Sequence, residues 1–190
     1  MMGANIGTTI TAWIVSYFGF KFNIVAVSLP IIAAGLPMML LGRPKMRSWG
    51  ELLVGFALLF MGLDALKHSV PDLKDNPEIL GFLTQFADGG LLTSILFVFI
   101  GALVTIIVQS SSAAMALTLV MCHNGWIPFP VAAAMVLGEN IGTTITAELA
   151  SLVGNVHAKR SARIHSMFNI IGVTWMVLLL PFALDMISWF

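Results

Sequence analysis

The residues best placed to do chemistry in this chain are uncharged. Gln109-Ser110-Ser111-Ser112 sets an amide and three hydroxyls at the end of the uncharged apolar run Leu91 to Val108. A second polar cluster, Gly138-Glu139-Asn140-Ile141-Gly142-Thr143-Thr144, begins 29 residues after Gln109. It belongs to a duplicated block: GANIGTTITA (Gly3 to Ala12) returns as GENIGTTITA (Gly138 to Ala147) with nine of ten residues the same. In hydrocarbon an unpaired polar group costs several kcal/mol, so something must satisfy these side chains. Glycine lets the backbone leave a helix, and the freed N–H groups of a half-helix N-terminus suit an anion. Carbonyl ends, Ser and Thr hydroxyls and Asn and Gln oxygens are hard neutral ligands for a small monovalent cation. Two such interrupted helices packed together would hold an oxyanion beside sodium. Small residues also let helices pack closely, but a ten-residue block kept in two places reads as a binding element.

The elements that would position these groups are membrane helices. The chain is 58% hydrophobic and 9% charged, with mean hydropathy +0.97, whereas soluble domains are about a quarter charged. Nine basic residues balance nine acidic ones, which argues against a nucleic-acid partner. The lone Cys122 forms no internal disulfide, and no signal-peptide pattern follows Met1. Spans are expected at Phe22 to Leu41, kinked by Pro30 and Pro37, at Leu52 to Leu66, at Leu91 to Val108 and at Ser166 to Trp189. Ala113 to Cys122 and Pro130 to Leu137 are too short to cross alone and read as arms of re-entrant or broken helices. Within the polar stretch Lys67 to Gly90, Pro77 to Phe86 has apolar residues at helical spacing and reads as a surface-lying helix.

The segments 42–50 and 155–165 read as basic loops, each with three Lys or Arg, and are expected to be cytoplasmic; the acidic linker is external. The duplication extends to FNIVAV (Phe22 to Val27) against FNIIGV (Phe168 to Val173), and the matching turns before these blocks then fall on opposite sides. That is the pattern of an inverted-topology repeat. The expected organisation is residues 1–41 as the tail of a first repeat, 42–90 as loop, short span and linker, and 91–190 as the second repeat. The expected fold class is an all-α membrane protein, an inverted-repeat transporter with broken, re-entrant hairpins, in the cell membrane.

QSSSAAMAL (Gln109 to Leu117), GENIGTT and AKRSARIHSMFNIIGV (Ala158 to Val173) together resemble the type II sodium/phosphate cotransporter family, in particular its bacterial members. The resemblance implies a sodium-coupled phosphate symporter, with inorganic phosphate and sodium as ligands, the lipid bilayer as surroundings and no organic cofactor. It implies Gln109, Ser110, Ser111 and Ser112 as one wall of the site, with Asn140, Thr143 and Thr144 behind it and Asn5, Thr8 and Thr9 as first-repeat counterparts. It also places a first-repeat QSSS about 29 residues ahead of Gly3. The chain is therefore expected to be N-terminally truncated, completed by its missing half or by a second copy as a homodimer, and in many relatives a PhoU-like domain follows.

Glu139, the one mismatch in the decapeptide, is a candidate cation ligand or proton acceptor, as acids at membrane depth often are, against an even alternative of a structural buried acid. Glu148 reads as a solvated residue near a helix end, and the four histidines as loop or interface residues. An intramembrane serine hydrolase using Ser110 to Ser112 lacks a GxSxG elbow and a base within a span; a noncatalytic membrane subunit is the other alternative.

Overall fold

The computed structural model describes residues 2–21, 24–69 and 90–189, all but a few of them helical and none in a strand. Helices α1 (Met2–Lys21), α2 (Ile24–Leu41), α3 (Pro44–Ser69), α4 (Gly90–Val108), α5 (Ser111–His123), α6 (Phe129–Ser151) and α7 (Val156–Ser188) follow in order. The chain forms two compact units, Thr9–Pro71 and Met1–Thr8 with Asp72–Phe190. The surface helix expected at Pro77 to Phe86 lies outside the described residues.

In the first unit α2 and α3 form an antiparallel pair turning at Gly42 and Arg43. The expected loop 42–50 is thus mostly helix, because Pro44 starts α3 at the position where a missing N–H costs nothing. The two helices meet through Gly35 and Gly50; a Cβ on Gly50 would sit 2.7 Å from the Gly35 carbonyl oxygen. Only glycine allows that approach.

In the second unit α6 is the central helix. On one side it crosses α4 so closely that a Cβ on Gly138 would overlap the Val98 carbonyl, and one on Gly101 the Met135 carbonyl. On another side lies α5, joined to α6 by residues 124–128, where Gly125 takes φ +74. α7 covers a third side with a buried stripe of Ala162, His165, Asn169, Val173, Val177 and Leu180. Phe97, Ile127, Val131, Ala134, Met135 and Leu180 close the core at the Gly90 end. The expected loop 155–165 is instead the start of the 33-residue α7. Asn155 caps it, its Oδ1 accepting from the Ala158 N–H at 2.9 Å, and Ala162 and His165 extend the inner stripe into this segment.

Three described helices, at Pro44–Ala65, Gly90–Val108 and Val156–Ser188, are long and apolar enough to cross a membrane. Only 17% to 22% of an apolar 18-residue stretch of each is buried, and large apolar side chains, among them Leu92, Phe99, Leu178 and Phe182, face outward. An apolar exterior of this extent is that of a membrane protein.

Candidate functional site

The interruption expected at Gln109 to Ser112 is present. The Gln109 N–H donates to the Thr105 carbonyl at 2.7 Å and closes α4. Gln109 itself sits at φ 56, a left-handed conformation that non-glycine residues adopt only when their surroundings impose it. Ser110 is extended (φ −148, ψ 112) and caps α5, its hydroxyl accepting from the Ala113 N–H at 3.3 Å. The N–H groups of Ser111 and Ser112 have no carbonyl one turn back, as at every helix start. Gln109 and Ser110 are exposed, and Ser111 and Ser112 half-buried. The result is a short helix whose positive end presents backbone donors and hydroxyls together.

The second expected interruption is absent. α6 runs unbroken through Gly138 to Thr144, and α1 through Gly3 to Thr9. In α6 the glycines serve the other use of small residues: Gly138 and Gly142, one turn apart, let α4 lie against the backbone, and a Cβ on Gly142 would be 2.5 Å from the Ala102 carbonyl oxygen. With no freed backbone nearby, the polar side chains turn to their own helix. Thr143 Oγ1 donates to the Glu139 carbonyl and Thr144 Oγ1 to the Ile141 carbonyl, both at 2.8 Å. The Asn140 amide reaches the Val136 carbonyl at 3.4 Å.

The two copies of the duplicated block do meet, through a residue that sequence reasoning missed. Asn169, 3% exposed, donates from Nδ2 to the Asn140 carbonyl at 2.8 Å. Its Oδ1 accepts from Asn5 Nδ2 at 2.7 Å. These three asparagines line one edge of a cavity of about 470 Å³, whose other walls are apolar. The signal was available: Asn169 is the Asn of the repeated FNI block. Thr8 is half-buried in the same unit; Thr9 is exposed and belongs to the other.

Glu139 is 1% exposed and lies between α5 and α6, where Thr118 Oγ1 donates to its Oε1 at 2.6 Å; its Oε2 has no hydrogen-bond partner. Glu148 is not the solvated residue expected but a half-buried one, accepting from Ser166 Oγ at 2.7 Å and so tying α6 to α7. His165, expected in a loop, is 8% exposed on the inner stripe of α7.

Helix register brings the break and the polar block to one level. α4 runs parallel to α6, with Phe97 against Ala134, Val98 against Gly138 and Thr105 against Gly142. One further turn places Gln109 beside Thr146 and Ala147. α5 returns antiparallel, with Thr118 beside Glu139, so Ser111 also falls at the level of Thr146. Ser111, Ser112, Thr143 and Thr144 thus lie within about one helical turn of each other along the bundle. The 19 residues of α4 already span about 28 Å. The break is therefore toward the end where α7 carries Lys159, Arg160 and Arg163, rather than midway along the bundle.

Comparison with known proteins shows the family. A family described as Na+/Pi-cotransporter matches residues 1–68 and 82–188. YqeW of Bacillus subtilis, a protein of uncharacterized function, is 31% identical over 96% of the chain and 55% of its own length. The candidate inorganic phosphate exporter YjbB of Escherichia coli is 29% identical over 96% of the chain and 32% of its own length. The human sodium-dependent phosphate transport protein 2B is 42% identical over 43% of the chain and 12% of its own length. The chain thus spans about half of YqeW and about a third of YjbB. No solved structure matches it.

Proposed function

The chain belongs to the Na+/Pi-cotransporter family, and from that premise we propose that its protein is a secondary transporter that couples inward sodium flow to uptake of inorganic phosphate. The observation that carries this reading is the break at Gln109 and Ser110. It turns the start of α5 into a neutral anion-binding end toward one end of an apolar bundle, within about one helical turn of Thr143 and Thr144. Phosphate accepts from the Ser111 and Ser112 N–H groups and from the hydroxyls of Ser110 to Ser112, an arrangement that needs no cationic side chain. The Gln109 side-chain oxygen, Asn5 and Asn140 in the asparagine ladder, and the hydroxyls of Thr8, Thr143 and Thr144 supply neutral ligands of the kind sodium prefers. Glu139 adds an acidic oxygen near this set. The basic turns of α7 face the cytoplasm of the cell membrane, and the two copies of the decapeptide belong to inverted repeats.

The test is transport of labelled phosphate by the whole protein in proteoliposomes, with sodium gradients imposed in either direction. Uptake that follows inward sodium, and falls at least tenfold with Ser111→Ala, supports the reading. Phosphate movement unaffected by sodium removal refutes the coupling. Export against an inward sodium gradient would instead match the direction in the name of YjbB.

A further inference from the structure

The imidazole of His165 is a buried group that the site as described leaves unused. It is 8% exposed, and its Nε2 has no hydrogen-bond partner. A buried polar nitrogen left unpaired loses its hydration without a replacement, which makes it a poor choice as mere packing.

Its position follows from the contacts of α7 along α6. Leu180 packs with Val131 and Ala134, Val173 shares a cavity wall with Leu137 and Asn140, Asn169 bonds the Asn140 carbonyl, and Ser166 bonds Glu148. The helices run antiparallel with the inner stripe of α7 against α6 throughout. His165, one turn before Asn169, therefore lies one turn beyond Asn140, at the level of the buried Thr144. Ser111, at the start of α5 and at the level of Thr146, lies within about one helical turn of it along the bundle. An unpartnered ring nitrogen on α7 and, on α5, a helix start whose Ser110 cap takes up only the Ala113 N–H flank the same stretch of α6.

We propose that His165 is a further binding residue for the transported oxyanion, its ring N–H donating to the anion held at Ser111 and Ser112. The proposal rests on the phosphate-transport reading above. It assigns α7 a direct part in substrate binding, so that the anion joins α5 to α7 across the face of α6 and draws the hairpin and the last helix together. Phosphate and arsenate, being tetrahedral oxyanions with spare acceptor oxygens, are the ligand class this geometry takes.

The test compares the whole wild-type protein with His165→Phe, which keeps a ring of similar size but no donor, in proteoliposomes at saturating sodium. The expected result is a KM for phosphate raised about tenfold or more, the loss due to one hydrogen bond to a charged group, with maximal rate and melting temperature retained. An unchanged KM overturns the proposal, as does a fall in stability and rate with KM constant, which would mark a packing role. A second variant, His165→Ala, is assayed with and without added imidazole. Recovery of low KM by imidazole supports a donor role, and its absence overturns it, including where the Phe variant fails to fold. If wild-type vesicles move no phosphate under any gradient, the transport reading itself fails, which the wild-type control reveals before any variant is compared.

Discussion

Replacing Gly138 by alanine tests the packing that holds the whole site in register. The added Cβ would overlap the Val98 carbonyl oxygen and stand 2.9 Å from the Ala102 backbone nitrogen. Both obstacles are backbone of α4, so no side chain can rotate away. Restoring ordinary contact requires α4 and α6 to separate by about an ångström, loosening the contacts at Gly101 and Gly142 as well. Overpacking of this kind costs about 1–3 kcal/mol, and a backbone-on-backbone clash belongs at the upper end. Alanine returns about 1 kcal/mol through its better helix propensity, leaving a net loss of roughly 2 kcal/mol. For a chain of this size that corresponds to a melting temperature lower by about 4–8 °C. Gly55→Ala in α3 is the control: nothing lies within 4 Å of its added Cβ, so only the propensity gain remains. The assay is thermal unfolding of the purified protein in detergent, followed by the loss of the monodisperse species on size exclusion. If Gly138→Ala and Gly55→Ala melt within about 1 °C of each other, α4 and α6 do not meet as described and the register argument built on them falls.

Two further outcomes follow from the same contacts and from the charge pattern. Thr118→Val removes the hydroxyl donating to Glu139 Oε1, leaving a carboxyl 1% exposed without that partner. It should destabilise by about 1–3 kcal/mol, while the double change Thr118→Val with Glu139→Leu recovers most of the loss, because replacing both partners with apolar groups strands neither. A double variant no more stable than Thr118→Val refutes this. In a Cys122→Ala background, Lys159→Cys should resist a membrane-impermeant thiol reagent in intact cells and react in opened ones, whereas Asp75→Cys reacts in both. Labelling of Lys159→Cys from outside would reverse the orientation.

The break at Gln109 was legible because nothing else explains four polar residues at the end of an uncharged run. Its consequence, a short capped helix, followed from the serines, which are strong N-cap residues. The unbroken α6 was not legible, since a glycine permits both departure from a helix and close approach of a neighbour. Only the location of α4 decides between these uses, and that is a tertiary fact. The same holds for residues 156–165, where basic composition suggested a loop. The buried Ala162 and His165 show a helix with one covered face, which charge counting does not register. Asn169 was missed for a different reason: the repeated FNI block marks it as duplicated, but only the placement of its partners Asn140 and Asn5 shows what that Asn does.

Those partners also change what the duplicated decapeptide means. Successive residues of a helix point about 100° apart, so a few consecutive positions can face every neighbour of a central helix. In α6, Gly138 and Gly142 meet α4, Glu139 meets Thr118 of α5, and the Asn140 carbonyl meets Asn169 of α7. Gly138, Glu139, Asn140 and Gly142 thus serve contacts with three different helices, so packing alone already makes demands on this short stretch. The binding we propose then needs little more than hydroxyls at the next turn, Thr143 and Thr144, carried near the level of the α5 start by the same close crossing. Under the proposed function the block is both the joint of the bundle and the floor of the proposed site, so a substitution that spares every proposed ligand but displaces α4 should impair ligand binding as surely as the loss of a hydroxyl.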